Sequence, residues 1–478
     1  MEYNSEMLNQ PASRTADGFL GLLADEGARK ALLACSAALS LDDDVARRAI
    51  ALVAGSNGSA DALLDRVKSL SCVWREWDGT WYVAEDVRAP LVDRLSGQIP
   101  AGMIDRLHEL LAEAADRRLV GISPNGQLFD YRVRACHLEA GYHQIQVTGS
   151  EETGAERFLA AWQPANREGK DATAAAVDHL APELERQGRP LPDPVLFLRG
   201  MAARTRKDWR RAEKYFRTVW ERGRPGEIQA ISAHLFGTLT RDQSAAERAF
   251  HQSLEWYPEP IHRGQVWHSL GNLLAKERSR WNEAEGAYNE SLSLLRDPGD
   301  QGQVLHSLGN LLARERSHFS EAENAYRNSL ALDPSPQGRG QVWHSLANLL
   351  AKMGSRWNEA EDAYNQGLSL LRDPRDQGQV YASWANALLR QAKGRGDLDR
   401  AANLAEIARE CAPDNPKTCA VAAKVLAEVF RIKGDIRQEL EALEEYLDNS
   451  RKQYRHRYAK RAEQRIREIK MRMKDVPT

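Results

Sequence analysis

The sequence predicts an all-α protein: an α-solenoid of about seven helix pairs, preceded by a small three-helix domain with one β-hairpin. Three observations predict it. A segment recurs at a 38-residue step, at Gly264, Gly302, Gly340 and Gly378. Inside each copy the apolar residues return at helical spacing. Far upstream, helix-period segments give way to alternating aromatic and β-branched residues around Asp78-Gly79, a hairpin signal.

The repeats come first. The first copy begins Gly264-Gln265-Val266-Trp267-His268-Ser269-Leu270, and the fourth begins Gly378-Gln379-Val380-Tyr381-Ala382-Ser383-Trp384. Trp267, Leu270, Gly271 and Leu274 share one helical face, and Ala284, Tyr288 and Ser291 share a face of a second helix. Small residues (Gly271, Gly309, Ala347, Ala385 on the first helix; Ala284, Ala322, Ala360, Ala401 on the second) stand where two helices must approach closely. Each unit reaches a proline, Pro298, Pro334, Pro374 or Pro413, read here as closing it because proline cannot continue a helix. This pattern resembles the tetratricopeptide repeat, which the 302–339 unit shows as Leu308-Gly309, Ala322, Tyr326, Ser329 and Pro334. The usual period is about 34 residues, so these units are longer. Weaker copies flank the four: Gly200, Ala212, Phe216 and Val219, then Ala246, Phe250, Ser253 and Pro258, and a last pair at Val421–Leu447. The solenoid is placed at 191–447. A basic helix, Arg451–Met473 within 448–478, then caps its end through Tyr454, Tyr458, Ala462, Ile466 and Ile469.

A disordered tail is expected over 1–18. Over 19–96, Leu20–Leu39 reads as one helix. Asp42-Asp43-Asp44 loads the start of a second, Val45–Val53, and Ser59 caps a third, Ala60–Leu70. With the hairpin, this is a winged helix. Residues 20–95 carry more acidic than basic side chains, and the third helix offers only Arg66 and Lys68 beside Asp61 and Asp65. Phosphate neutralisation dominates DNA affinity, so packing is favoured over DNA binding. The alternative reading is a transcription regulator that binds DNA with this domain and senses with the repeats. Residues 97–190 form a helical connector, with helices at Ile104–Leu111 and Arg132–Gly141. The order of modules resembles the C-terminal sensing half of STAND-type signalling NTPases, and His137-Leu138-Glu139-Ala140-Gly141 resembles a stretch found there. No G-x-x-x-x-G-K-[ST] phosphate loop is present. The resemblance therefore implies either a sensor or regulatory subunit without the NTPase, in bacterial signalling or defence, or a fragment of something larger.

Composition narrows the function. Lys and Arg total 66 and Asp and Glu 68, so no global field attracts nucleic acid or anionic lipid, and such binding would need a local patch. No run of apolar residues is long enough for a membrane span. The five cysteines form no CxxC pair, pointing to a reducing cytoplasm. No HExxH, GxSxG or EF-hand loop occurs, so no catalytic residue, cofactor or metal is expected. His268, His306 and His344 recur, but successive repeats lie roughly 10 Å apart, too far to share one metal ion at about 2 Å.

The candidate site is the face of the first helix of each pair, which lines the concave side in tetratricopeptide arrays. It comprises Gln265, His268, Asn272 and Lys276; Gln303, His306, Asn310 and Arg314; Gln341, His344, Asn348 and Lys352; and Gln379, Asn386 and Arg390. An asparagine ladder thus runs beside a basic stripe. An Asn amide can donate to and accept from an extended main chain, and the cations favour an acidic segment or a carboxylate. The expected partner is another protein, through an extended segment or as an effector such as a protease, nuclease or NTPase. The competing expectation is a ladder that only bonds neighbouring helices.

Overall fold

The computed structural model describes residues 15–474 apart from 24, 56–58, 77–78, 123–130, 166, 187–190, 334 and 453–455. The tail expected over 1–18 lies mostly outside the described residues. Within them, Thr15 already caps the first helix, its Oγ1 accepting from Gly18 N. The chain forms two compact units, Met1–Trp256 and Tyr257–Thr478.

The first unit opens with α1 (Ala16–Leu22), α2 (Glu26–Ser36), α3 (Asp43–Ala54) and α4 (Ala60–Lys68). The single helix expected over Leu20–Leu39 is in fact two. Asp25 accepts from the backbone of Gly27 and Ala28, which offers the chain a cap in place of a continuous helix. Asp42 caps α3 through Val45 N, whereas Ser59 makes no side-chain cap to α4. Strands β1 (Val73–Arg75) and β2 (Trp81–Val83) pair antiparallel with Trp74 opposite Tyr82. Asp78 of the expected turn lies outside the described residues, and Gly79 takes φ +89°. Then follow α5 (Glu85–Val92), α6 (Leu95–Gln98), α7 (Ala101–Gly121), α8 (Tyr131–Gln146), α9 (Glu151–Trp162), α10 (Arg167–Arg186), α11 (Asp193–Thr205), α12 (Trp209–Glu221), α13 (Glu227–Leu239) and α14 (Gln243–Trp256).

This unit has two apolar cores, one over Ala16–Ala114 and one over Tyr142–Ala249. Ionic contacts join the elements that carry them. Arg88 meets Glu183 at 2.6 Å, Arg118 meets Glu139 at 2.8 Å, and Tyr142 donates to Glu183.

The second unit is a solenoid of helical hairpins: α15 (Pro260–Leu274) with α16 (Trp281–Leu294), α17 (Pro298–Leu312) with α18 (Phe319–Leu332), α19 (Pro336–Met353) with α20 (Trp357–Leu370), α21 (Pro374–Gln391) with α22 (Arg395–Cys411), and α23 (Pro416–Lys433) with α24 (Ile436–Lys452). With α11–α12 and α13–α14 of the first unit, seven hairpins of tetratricopeptide type stand among the described residues. Four of these hairpins close on a glycine facing an aromatic ring. A Cβ on Gly309 would lie 2.6 Å from Cε1 of Tyr326, so the helices can approach only because none is there. Gly271 meets Tyr288, Gly200 meets Phe216 and Gly237 meets Phe250 in the same way. Serines of α16 and α18 reinforce this: Ser291 and Ser329 donate to the carbonyls of Gly264 and Gly302.

Two expectations need correction. Pro298 and Pro374 do not close a unit. They open α17 and α21 at the first helical turn, behind Asp297 and Asp373 as capping residues. Proline lacks the N–H that this position leaves unpaired, and its φ already suits a helix. Pro334 lies outside the described residues. The helix expected over Arg451–Met473 is also divided, because α24 runs on to Lys452 and α25 spans His456–Lys474. Ala462, Ile466 and Ile469 of α25 are buried. Arg465 pairs with the buried Glu439, and Lys470 with Glu444.

One hairpin has no counterpart in the sequence reading. Helices α8 and α9 cross so closely that a Cβ on Gly141 would meet the Gly154 carbonyl at 2.7 Å and the Phe158 ring at 2.9 Å. This repeats the glycine–aromatic contact of the later hairpins, inside the segment read as a connector.

Candidate functional site

Helices α15, α17, α19 and α21 each begin at a proline and bury Val266, Val304, Val342 and Val380 on the core side. The residues between those anchors therefore face away from the core at helical spacing. Gln265, Gln303 and Gln341 are exposed, as are Asn272 and Asn310, while Gln379, Asn348 and Asn386 are half-buried.

Three of the four asparagines are held the same way. Tyr288 OH donates to Asn272 Oδ1 at 2.9 Å, Tyr326 OH to Asn310 Oδ1 at 2.9 Å and Tyr364 OH to Asn348 Oδ1 at 2.8 Å. Burial pushes the Tyr288 phenol up to about 12 and raises Tyr326 and Tyr364 as well. The hydroxyls thus stay protonated and act as donors, and each donor fixes its amide with the oxygen inward. The Nδ2 groups are left without a partner among the described residues. Asn386 differs, since the buried Ala405, four residues after Ala401, stands where the tyrosine would be.

The histidines form a second ladder. His268 Nε2 lies 2.9 Å from Ser307 Oγ, and His306 Nε2 lies 2.9 Å from Ser345 Oγ, each contact joining one unit to the next. His344 Nε2 is buried with no hydrogen-bond partner among the described residues. Burial lowers all three imidazoles, His306 and His344 to about 4, so all are neutral at neutral pH.

The basic stripe divides. Arg314 donates to the carbonyl of Ala275 and Lys352 to that of Ala313 at 3.2 Å. Those carbonyls cap α15 and α17, where the helix dipole favours a cation. Gln391, beside Arg390, does the same for Ala351. Lys276 and Arg390 are exposed and make no such contact among the described residues. Burial, then the neighbouring Arg390, lowers the Lys352 ammonium.

The tyrosine–asparagine and histidine–serine pairs were absent from the sequence reading. Their signal was present, because both partners recur at the repeat period. In the N-terminal module, Arg66 pairs with Asp25 at 3.3 Å and Lys68 with Asp43 at 2.6 Å, so both third-helix cations are engaged internally. Among the described residues no helix is long and apolar enough to cross a membrane.

No family model and no curated protein matches this chain. Solved structures do. A structure titled for the functional characterisation of Pseudomonas aeruginosa pilF is 18% identical over 46% of this chain and 92% of its own, with a TM-score of 0.35. The APC/C hetero-tetramer Cut9–Hcn1 is 14% identical over 80% of this chain and 74% of its own, at 0.42. A Rap protein complexed with competence and sporulation factor is 14% identical over 74% and 98%, at 0.41.

Proposed function

We propose that this chain is a non-enzymatic interaction scaffold whose outward face over Pro260–Gln391 grips an extended, acceptor-rich segment of another protein. One observation carries the reading: the buried tyrosines turn Asn272, Asn310 and Asn348 so that amide N–H donors point out in register. A row of donors beside Lys276 and Arg390 suits main-chain carbonyls and carboxylates, the acceptors that an acidic segment presents. The module order resembles the sensing half of signalling NTPases, which supports an effector such as a protease, nuclease or NTPase as the partner and a signalling or defence role.

The test changes Asn272, Asn310 and Asn348 together to Asp. Each carboxylate keeps an acceptor for its tyrosine but loses the outward donor and repels acidic ligands. A partner captured from the native host by the wild type should be lost by the triple variant at unchanged melting temperature. Equal capture by both proteins would remove this face from the reading.

A further inference from the structure

The chain as a whole is nearly neutral, yet one turn is not. Between Arg204 and Arg217 stand seven basic residues and only two acidic ones, Asp208 and Glu213. The segment spans the last turn of α11, the connecting turn and α12 as far as Arg217. Three of the seven are ion-paired: Arg206 with Asp178, Arg211 with Asp208 and Arg217 with Glu213. The other four, Arg204, Lys207, Arg210 and Lys214, are exposed and make no ion pair among the described residues. Among them stands Trp209, 51% exposed.

The backbone adds a second observation. Lys207 N donates to the Arg204 carbonyl and Asp208 N to the Ala203 carbonyl, closing α11 with the pair of bonds that normally calls for a left-handed glycine. Here that residue is Lys207, at φ +61°, the one non-glycine with positive φ among the described residues. Helix α23 ends with the same two bonds, and there the left-handed residue is Gly434. A lysine thus occupies a place where glycine costs less.

We propose that this turn is a binding site for single-stranded nucleic acid, with the four unpaired cations on phosphates and Trp209 stacked on a base. Polyanion binding follows from the cations, and unpaired bases follow from the ring. A half-exposed indole among cations offers a flat face that every base can stack on, and a duplex hides those faces. A lipid surface fits less well. The apolar face of α12, with Ala212, Phe216 and Val219, is buried in the core, so Trp209 has no apolar neighbours on that helix to enter a bilayer with. The site is separate from the asparagine ladder and does not depend on that reading.

The experiment follows fluorescence anisotropy of a labelled oligothymidylate of about 20 nucleotides bound by the full chain across a salt series. Four cations on single-stranded phosphates give a log–log salt slope of about −2.8. Trp209→Ala should weaken binding by about 5- to 150-fold, the worth of one stacked base. The quadruple reversal Arg204→Glu, Lys207→Glu, Arg210→Glu and Lys214→Glu should abolish it. Lys207→Gly is the discriminating variant. It should lower the slope by about 0.7 while its melting temperature holds or rises, because glycine accepts this backbone. Mixed-sequence duplex and phosphatidylserine-containing vesicles run alongside. Tighter binding to either than to the single strand overturns the proposal, as does no binding, or equal binding by the quadruple variant.

Discussion

Acid should weaken the solenoid through its buried histidines, and the amount follows from their surroundings. His306 and His344 are enclosed by their repeats, and burial lowers both from 6.5 to about 4. The unfolded chain therefore binds protons on these rings between about pH 6.5 and 4 while the folded chain does not. Stability is complete above this window and falls as pH drops through it. At about pH 5 each ring costs about 2 kcal/mol relative to neutral pH, so the two together cost about 4 kcal/mol. The double variant His306→Gln, His344→Gln cannot take up these protons. Amide hydrogen exchange of α17–α20, measured for both proteins at about pH 7 and pH 5, isolates this term from carboxylates elsewhere. The wild type should lose protection on acidification and the variant should lose much less. An NMR titration in which either ring protonates near 6.5, or equal acid losses in the two proteins, would refute the reasoning.

Other consequences concern single contacts. Arg314→Ala strips the cation from the Ala275 carbonyl and should cost about 1 kcal/mol, read as a lower melting temperature, with α15 fraying first in hydrogen exchange. Gly141→Ala drives a methyl into the Gly154 carbonyl, a backbone atom that cannot step aside, and should destabilise the first unit by about 1–3 kcal/mol in urea unfolding. Arg465→Met leaves the Glu439 carboxylate, 3% exposed, without its bidentate partner, and should loosen α25 by about 2 kcal/mol. Limited proteolysis of the C-terminal helix reads this out.

The repeat was legible because duplication writes the same physics several times. Trp267, Leu270 and Leu274, and their copies, announce a buried stripe without knowledge of what they bury against. The small residues at Gly271 and Gly309 announce close approach. Other features misled for reasons of local competition. Asp25 cut a continuous apolar period in two, because capping bonds are decided by backbone geometry rather than by hydropathy. Pro298 and Pro374 looked like terminators because a proline's neighbours in sequence do not say which side of it the helix lies on. The α8–α9 hairpin was missed because it stands alone, with Gly141 and Phe158 but no second copy to align.

At the candidate site the division is similar. Sequence periodicity alone set the asparagines on one helical face, since a helix turns through a fixed angle per residue. Only the packing of α16, α18 and α20 against their partner helices decided which end of each amide points outward, because a tyrosine remote in sequence supplies the proton that holds the oxygen in. The same holds for Arg314 and Lys352: their charge was written in the chain, but their use as caps depends on the neighbouring repeat bringing a bare carbonyl within reach. Hydrophobic period is a property of one segment, whereas the partner of a polar atom is a property of two.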